Sequence, residues 1–155
     1  MKIVVLAGGL SPERNVSLSS GTMIAHALRE LGHQAALVDM YFGLEDYQGA
    51  VADYFQAPLT DRWKQVDPKA PDLEEIKAAR KWKSPSQFGR GVLELCQMAD
   101  IVFLALHGTC GEDGRVQATF DLLGIRYTGA GYLGSAIAMD KDMTKRMVAD
   151  VVSTP

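Results

Sequence analysis

The chain has 155 residues, of which 47% are apolar, and a formal net charge of −3. That length suits one domain or one and a fraction, and the apolar share excludes wholesale disorder. Lys and Arg (16) are scattered among Asp and Glu (19) without forming a basic block, so nothing calls for a nucleic-acid partner. Cys96 and Cys110 make neither a disulfide framework nor a C-x-x-C metal spacing, which points to a reducing, cytoplasmic compartment.

The opening MKIVVLAGG is too short for a signal peptide and reads as a first strand, Lys2 to Ala7. No apolar run approaches membrane-spanning length. A polar turn, Gly8 to Glu13, follows, with Asn15 as candidate N-cap of a helix whose inner face carries Ile24, Ala27, Leu28 and Leu31. Gly32 stops that helix, and Ala35 to Met40 reads as the next strand. Strand, helix, strand makes a βαβ unit with a right-handed crossover.

From Tyr41 to Pro85 the periodicity weakens. Leu44, Tyr47, Val51, Tyr54 and Phe55 fit one short helix. Leu73 and Ile76 anchor another, with Glu74, Glu75, Lys77, Arg80 and Lys81 on its wet face. Trp63 and Trp82 are expected to pack onto the domain. Ser86 to Met98 reads as a firmer helix, with Phe88, Val92, Leu95 and Cys96 at helical spacing.

Ile101 to Leu106 is a short apolar run, expected to be a strand buried on both faces. It stops at His107-Gly108, before a loop with Gly108, Gly111 and Gly114. A helix begins near Asp113, carries Val116, Phe120 and Leu123 on one face, and ends at Gly124. Ile125 to Tyr127 fits a short strand, Gly134 to Met139 a short helix packed closely on its neighbours, and Asp140 to Val152 a last helix. That helix has little chain after it to pack against, which suggests a fragment. The alternation predicts an α/β fold, a parallel sheet with helices on both faces.

In such folds polar groups at the carboxyl ends of strands mark the ligand site. One loop carries Glu13 and another carries His107. If their strands are neighbours, a carboxylate able to hold an ammonium group faces an imidazole able to donate a hydrogen bond or move a proton. The same spacing also fits a solvated Glu13 and an ordinary strand-end histidine. G-x-G-x-x-G and the P-loop pattern are absent, so Asp39 at the end of the second strand is weak evidence for a dinucleotide. Lys141 and Lys145 lie i, i+4 and could meet a phosphate. Cys110 with His107 could form a nucleophile pair, but no third orienting group is suggested and a small side chain in a turn explains Cys110 better.

The motifs resemble those of the D-alanine–D-alanine ligases of the ATP-grasp superfamily. Gly8 to Gly21, GGLSPERNVSLSSG, is similar to that family's GG-x-S-x-E-x-x-VS-x-x-SG pattern. Leu106 to Lys145 carries LHG-x-x-GEDG-x-x-Q, G-x-x-YTG-x-G and S-A-x-A-MDK-x-x-TK in order. The resemblance implies a Rossmann-like three-layer pre-ATP-grasp domain over residues 1–139 and the start of the ATP-grasp central domain over 140–155, with Thr154-Pro155 at the entry to that domain. It implies a ligase that phosphorylates one D-alanine with ATP and joins it to a second through an acyl phosphate, for peptidoglycan synthesis. Glu13 would hold the ammonium of the first D-alanine, Val16 would touch its methyl group, and Ser17 would support Glu13 by hydrogen bonding. His107 would sit by the substrate carboxylate, and Lys141 would reach the ATP phosphates. Magnesium ligands, adenine pocket and closing loop are expected beyond Pro155, and no metal site within the chain. Homodimers are expected, with no nucleic-acid or membrane partner. Other second substrates, such as D-lactate or D-serine, or a non-catalytic binding or dimerisation module, are the alternatives.

Overall fold

The computed structural model describes residues 1–66 and 69–152; Thr154-Pro155, matched above to the domain entry, lies outside them. Three parallel strands form the sheet: β1 (Lys2–Ala7), β2 (Gln34–Asp39) and β3 (Ile101–Leu104), in the order β2-β1-β3. Ile3 pairs with Ala35 on one side and Ile101 on the other, and Leu6 with Val38 and Leu104. Ile125 to Tyr127 adds only a stub: a bridge from Val102 to Tyr127, with Val102 N–H donating to Arg126 O at 2.8 Å.

Strand alternation sorts the core into two layers. Val4, Leu6, Ala36, Val38 and Val102 face one way, onto α3 (Val92–Gln97), α4 (Arg115–Leu123) and Phe55 of a 3-10 turn, Val51–Gln56. Val5, Ala7 and Leu37 face the other way, onto α1 (Arg14–Glu30). Helices on both faces of a parallel sheet make the three-layer α/β arrangement expected from the sequence.

The inner face of α1 differs in part from the expected one: Ile24 and Leu28 pack against the core, half-buried, but they do not lead it. Leu18, Gly21, Thr22 and Ala25 are buried, whereas Leu31 is 74% exposed and Ala27 is exposed too. Close approach decides this: a Cβ on Gly21 would lie 2.6 Å from the Cβ of Ala7, so the helix presses its small residues onto the sheet. Asn15 is not the N-cap; the helix starts at Arg14 and Glu13 is the residue before it.

The predicted wet face of the helix at Leu73 also fails at one residue. α2 (Leu73–Ala79) is capped by Asp72 and buries nothing, but Arg80 is 2% exposed. Its guanidinium donates to the carbonyls of Ser84, Ser86 and Phe88 and lies against the rings of Tyr41 and Trp82. Residues 84–91 wrap around this guanidinium and run irregularly, and α3 begins only at Val92, after Gly91 at φ 74°. Trp63 packs under the sheet on the α1 side. The segment bearing it is tied to α1 by Asp61 at 2.9 Å from His26 and by Arg29 donating to Ala57 O.

α4 ends at Gly124 as predicted. α5 (Tyr132–Met139) and α6 (Lys141–Val148) bury none of their residues, so the close packing expected of the 134–139 helix is not found. None of the helices among the described residues is long and apolar enough to cross a membrane.

Arg80→Met should remove the donor to three carbonyls at once. A loss of roughly 2–3 kcal/mol in urea unfolding is expected, since bonds from a charged donor carry about 1.5–3 kcal/mol. Cys96 supplies a pH test. Burial pushes its thiol from 9.0 up to about 12. The folded chain then keeps a proton that the unfolded chain loses, so this contribution is complete below pH 9 and falls by about 1.4 kcal/mol per pH unit up to 12. Cys96→Ala should flatten the alkaline limb of a stability-against-pH curve.

Candidate functional site

β1 and β3 are neighbours and run the same way, so their carboxyl ends share one edge. The order β2-β1-β3 puts a topological switch point between them, the place where open parallel sheets bind ligands. β1 leads through Gly8 to Ser11 into Glu13, and β3 leads through Ala105 and Leu106 into His107. The sequence therefore brings Glu13 and His107 to one rim. A Cβ placed on Gly108 would lie 3.7 Å from Glu13 Oε1, which measures how closely the two loops approach.

Two buried serines join those loops. Ser17 Oγ accepts from Gly8 N–H at 2.8 Å and donates to Ala105 O at 2.6 Å. Ser11 Oγ accepts from Glu13 N–H at 3.0 Å and donates to His107 O at 2.8 Å. Ser17 therefore does not bond the Glu13 carboxylate as the resemblance implied; its hydroxyl is committed to the two strand ends. What remains between Ser17 and Glu13 is the helical bond from Ser17 N–H to Glu13 O.

Beneath the turn, Arg14 and Asp39 form a buried ion pair, 6% and 5% exposed at their side chains. Arg14 also donates to Gly9 O at 2.7 Å, while Asp39 accepts from the amides of Gly9, Tyr41 and Phe42. Asp39 is thus fully occupied by the fold and holds no ribose. The sequence reading missed Arg14 and Ser11. A signal existed: an acid closing an apolar strand needs a cation, and Arg14 is the only one in the adjacent turn.

The loop after β3 is held by its own acids. Glu112 accepts from Gly108 N–H, and Asp113 accepts from Cys110 and Arg115 N–H. Gln117 Nε2 donates to Gly111 O at 2.7 Å. Cys110 sits at φ 70° and packs against the main core cluster, the role of a turn residue.

Among the described residues, the carboxylate of Glu13 makes no hydrogen bond or ion pair, and Glu13 is exposed; His107 is half-buried with an equally unengaged ring. Val16 is exposed in the first turn of α1. Lys141 is not gathered into this group: it is exposed at the start of α6, an element packed on α5. No three His, Cys, Asp or Glu among the described residues cluster to hold a metal.

A cleft of about 590 Å³ lies beside β2 and is lined by neither Glu13 nor His107. Its acids are engaged: Asp39 by Arg14, Asp46 by Lys81, and Glu45 by the amides of Lys81 and Trp82. The strand edge, with an unpaired carboxylate and an imidazole, is the better candidate.

An α/β domain with an uncommitted carboxylate and imidazole at its switch-point edge is the class that fold and site define. The family model described as D-ala D-ala ligase N-terminus matches residues 2–130, and the chain belongs to that family. It is 47% identical over 150 residues to a D-alanine–D-alanine ligase of Pediococcus pentosaceus, and 45% identical over 148 residues to one of Lacticaseibacillus casei. Each alignment covers 96% of this chain and 42% of the relative, so the chain spans about two-fifths of the length of these relatives. The crystal structure of the Bacillus anthracis D-alanine–D-alanine ligase complexed with ATP aligns over 100% of this chain and 39% of its own, with a TM-score of 0.62 and 26% identity.

Arg14→Leu strands a buried carboxylate at Asp39. Breaking such a pair from one side costs about 3–5 kcal/mol. Chemical denaturation should show a loss of that size for Arg14→Leu, and a smaller one for the double variant Arg14→Leu, Asp39→Leu.

Proposed function

We propose that this chain is the amino-acid-binding wall of an ATP-dependent ligase that joins two D-alanines for peptidoglycan synthesis. The observation that carries the proposal is the Glu13 carboxylate, left without a partner among the described residues at the rim shared by β1 and β3. A purely scaffolding domain gives such a group no task. A zwitterionic amino acid does: its ammonium meets Glu13 in a charge-assisted hydrogen bond, Val16 flanks its methyl group, and His107 faces its carboxylate. Holding the ammonium fixes the carboxylate that is activated, which converts a bimolecular encounter into a positioned reaction.

ATP supplies the phosphoryl group that activates this carboxylate. Lys141, exposed at the start of α6, is the described residue suited to a phosphate contact. No three His, Cys, Asp or Glu among the described residues cluster to hold a metal, and the proposal assigns Mg²⁺ and the adenine site to the remainder of a longer protein. Residues 1–139 then form the pre-ATP-grasp domain and 140–155 open the central one. A cytoplasmic homodimer completes the proposal.

Glu13→Gln in the full-length ligase keeps shape and removes charge. Losing a hydrogen bond to a charged group costs about 1.5–3 kcal/mol, so the KM for the first D-alanine should rise roughly ten- to a hundred-fold. The KM for ATP should stay as it is. Steady-state kinetics on folded protein decide it: an unaltered D-alanine KM, or a loss mainly in ATP binding, refutes the role.

A further inference from the structure

We propose that Ser11 is a positioning residue for the amino-acid site, holding Glu13 and His107 in one fixed relation through a single buried hydroxyl. The inference rests on the ammonium-binding role proposed for Glu13. Ser11 is 1% exposed. Its oxygen accepts from Glu13 N–H at 3.0 Å and its proton goes to His107 O at 2.8 Å. The direction is forced, because an amide only donates and a carbonyl only accepts, so the one hydroxyl proton has one destination.

The position of this bond matters more than its strength. Sheet pairing between β1 and β3 ends where Ala105 N–H donates to Leu6 O. Ser17 adds one tie, to Ala105 O. Ser11 is the tie farthest out, and it joins the two residues at the shared strand edge. Ser11 Oγ would be 3.2 Å from a Cβ on Gly108, which adopts φ +72°, so the loops meet with no room for a side chain at that point. Glu13 immediately precedes α1, and its amide is anchored by Ser11 while its carbonyl enters the helix through Ser17 N–H. With the backbone pinned at both ends, the Cα–Cβ bond of Glu13 leaves it in a set direction relative to the His107 loop. An alanine at position 11 would free the amide and leave the helical bond alone.

A structural tie and a positioning tie predict different kinetics. The test uses the full-length ligase with Ser11→Ala, Glu13→Gln and the double variant, measuring KM for D-alanine and for ATP and the Tm of each. Ser11→Ala should raise the KM for the first D-alanine roughly tenfold, the worth of two neutral hydrogen bonds, with ATP KM unchanged. In the Glu13→Gln background the same change should add less than about twofold, because residues acting through one another are not additive. An equal factor in both backgrounds, or a lowered Tm with unaltered KM, overturns the proposal. If Glu13→Gln alone leaves the D-alanine KM unaltered, the ammonium-binding reading fails and the role of Ser11 falls with it. If Ser11→Ala does not fold, Ser11→Thr keeps the hydroxyl: near-normal D-alanine KM is then expected, and a tenfold rise overturns the proposal.

Discussion

The ion pair between Arg14 and Asp39 is the constraint on which the site depends. It connects the start of α1 to the end of β2, and both partners are nearly fully buried. Burying two charges is expensive, and their mutual attraction offsets the cost only when the remaining hydrogen-bonding capacity is filled. Here it is filled: Arg14 has Gly9 O, and Asp39 has three backbone amides. The pair therefore specifies a conformation more than it adds stability. Gly8 to Pro12 can take one path only, and Glu13, the neighbour of Arg14, inherits a fixed position on the rim.

That rigidity is supported from outside by the long excursion between β2 and β3. Arg80 gathers three carbonyls and two aromatic rings, turning residues 80–91 into a strap over Tyr41. Gly89 N–H reaches Met40 O and Leu44 N–H reaches Arg90 O, so the strap is fastened just beyond Asp39. The end of β2, where the ion pair sits, is thereby held from both sides.

The framework was legible in the sequence because periodicity reports burial. The apolar runs Lys2 to Ala7 and Ala35 to Met40 are buried strands to within a residue or two, whereas Ile101 to Leu106 is a strand only over Ile101–Leu104 and buries only Val102 of those four; α4 stops at Gly124 as its pattern says, although Leu123 of the expected stripe is 40% exposed. Glu13 and His107 were legible as residues just past strand ends. Three things were not. The inner face of α1 was only half legible, Ile24 and Leu28 but not Ala27 and Leu31, because its closest contact is made by Gly21, Thr22 and Ala25, and size is a poor guide where a helix approaches closely. Arg80 looked solvated because its partners are carbonyls, which carry no side-chain signature. The uses of Ser11, Ser17 and Asp39 depend on contacts between residues far apart in the chain, such as Ser17 with Ala105, and no local pattern encodes those.

The economy of acids around the strand edge is what separates scaffold from function. Asp39 is spent on Arg14, Glu112 on Gly108 N–H, Asp113 on Cys110 and Arg115 N–H, and Asp140 caps α6. Each of those side chains has an identifiable structural partner that would be left short if the acid were lost. Glu13 has none among the described residues, although its backbone is among the most closely held in the turn. A rigid backbone carrying an uncommitted carboxylate breaks no existing contact by meeting a cation, and only the side chain, not the loop, has to be ordered. That is the physical condition for preorganised recognition, in which binding energy is not consumed in ordering the site. The same contrast holds for His107, whose carbonyl is fixed by Ser11 while its ring stays free. At this strand edge the Glu13 carboxylate and the His107 ring are without partners among the described residues, which is what the proposed amino-acid site requires of them.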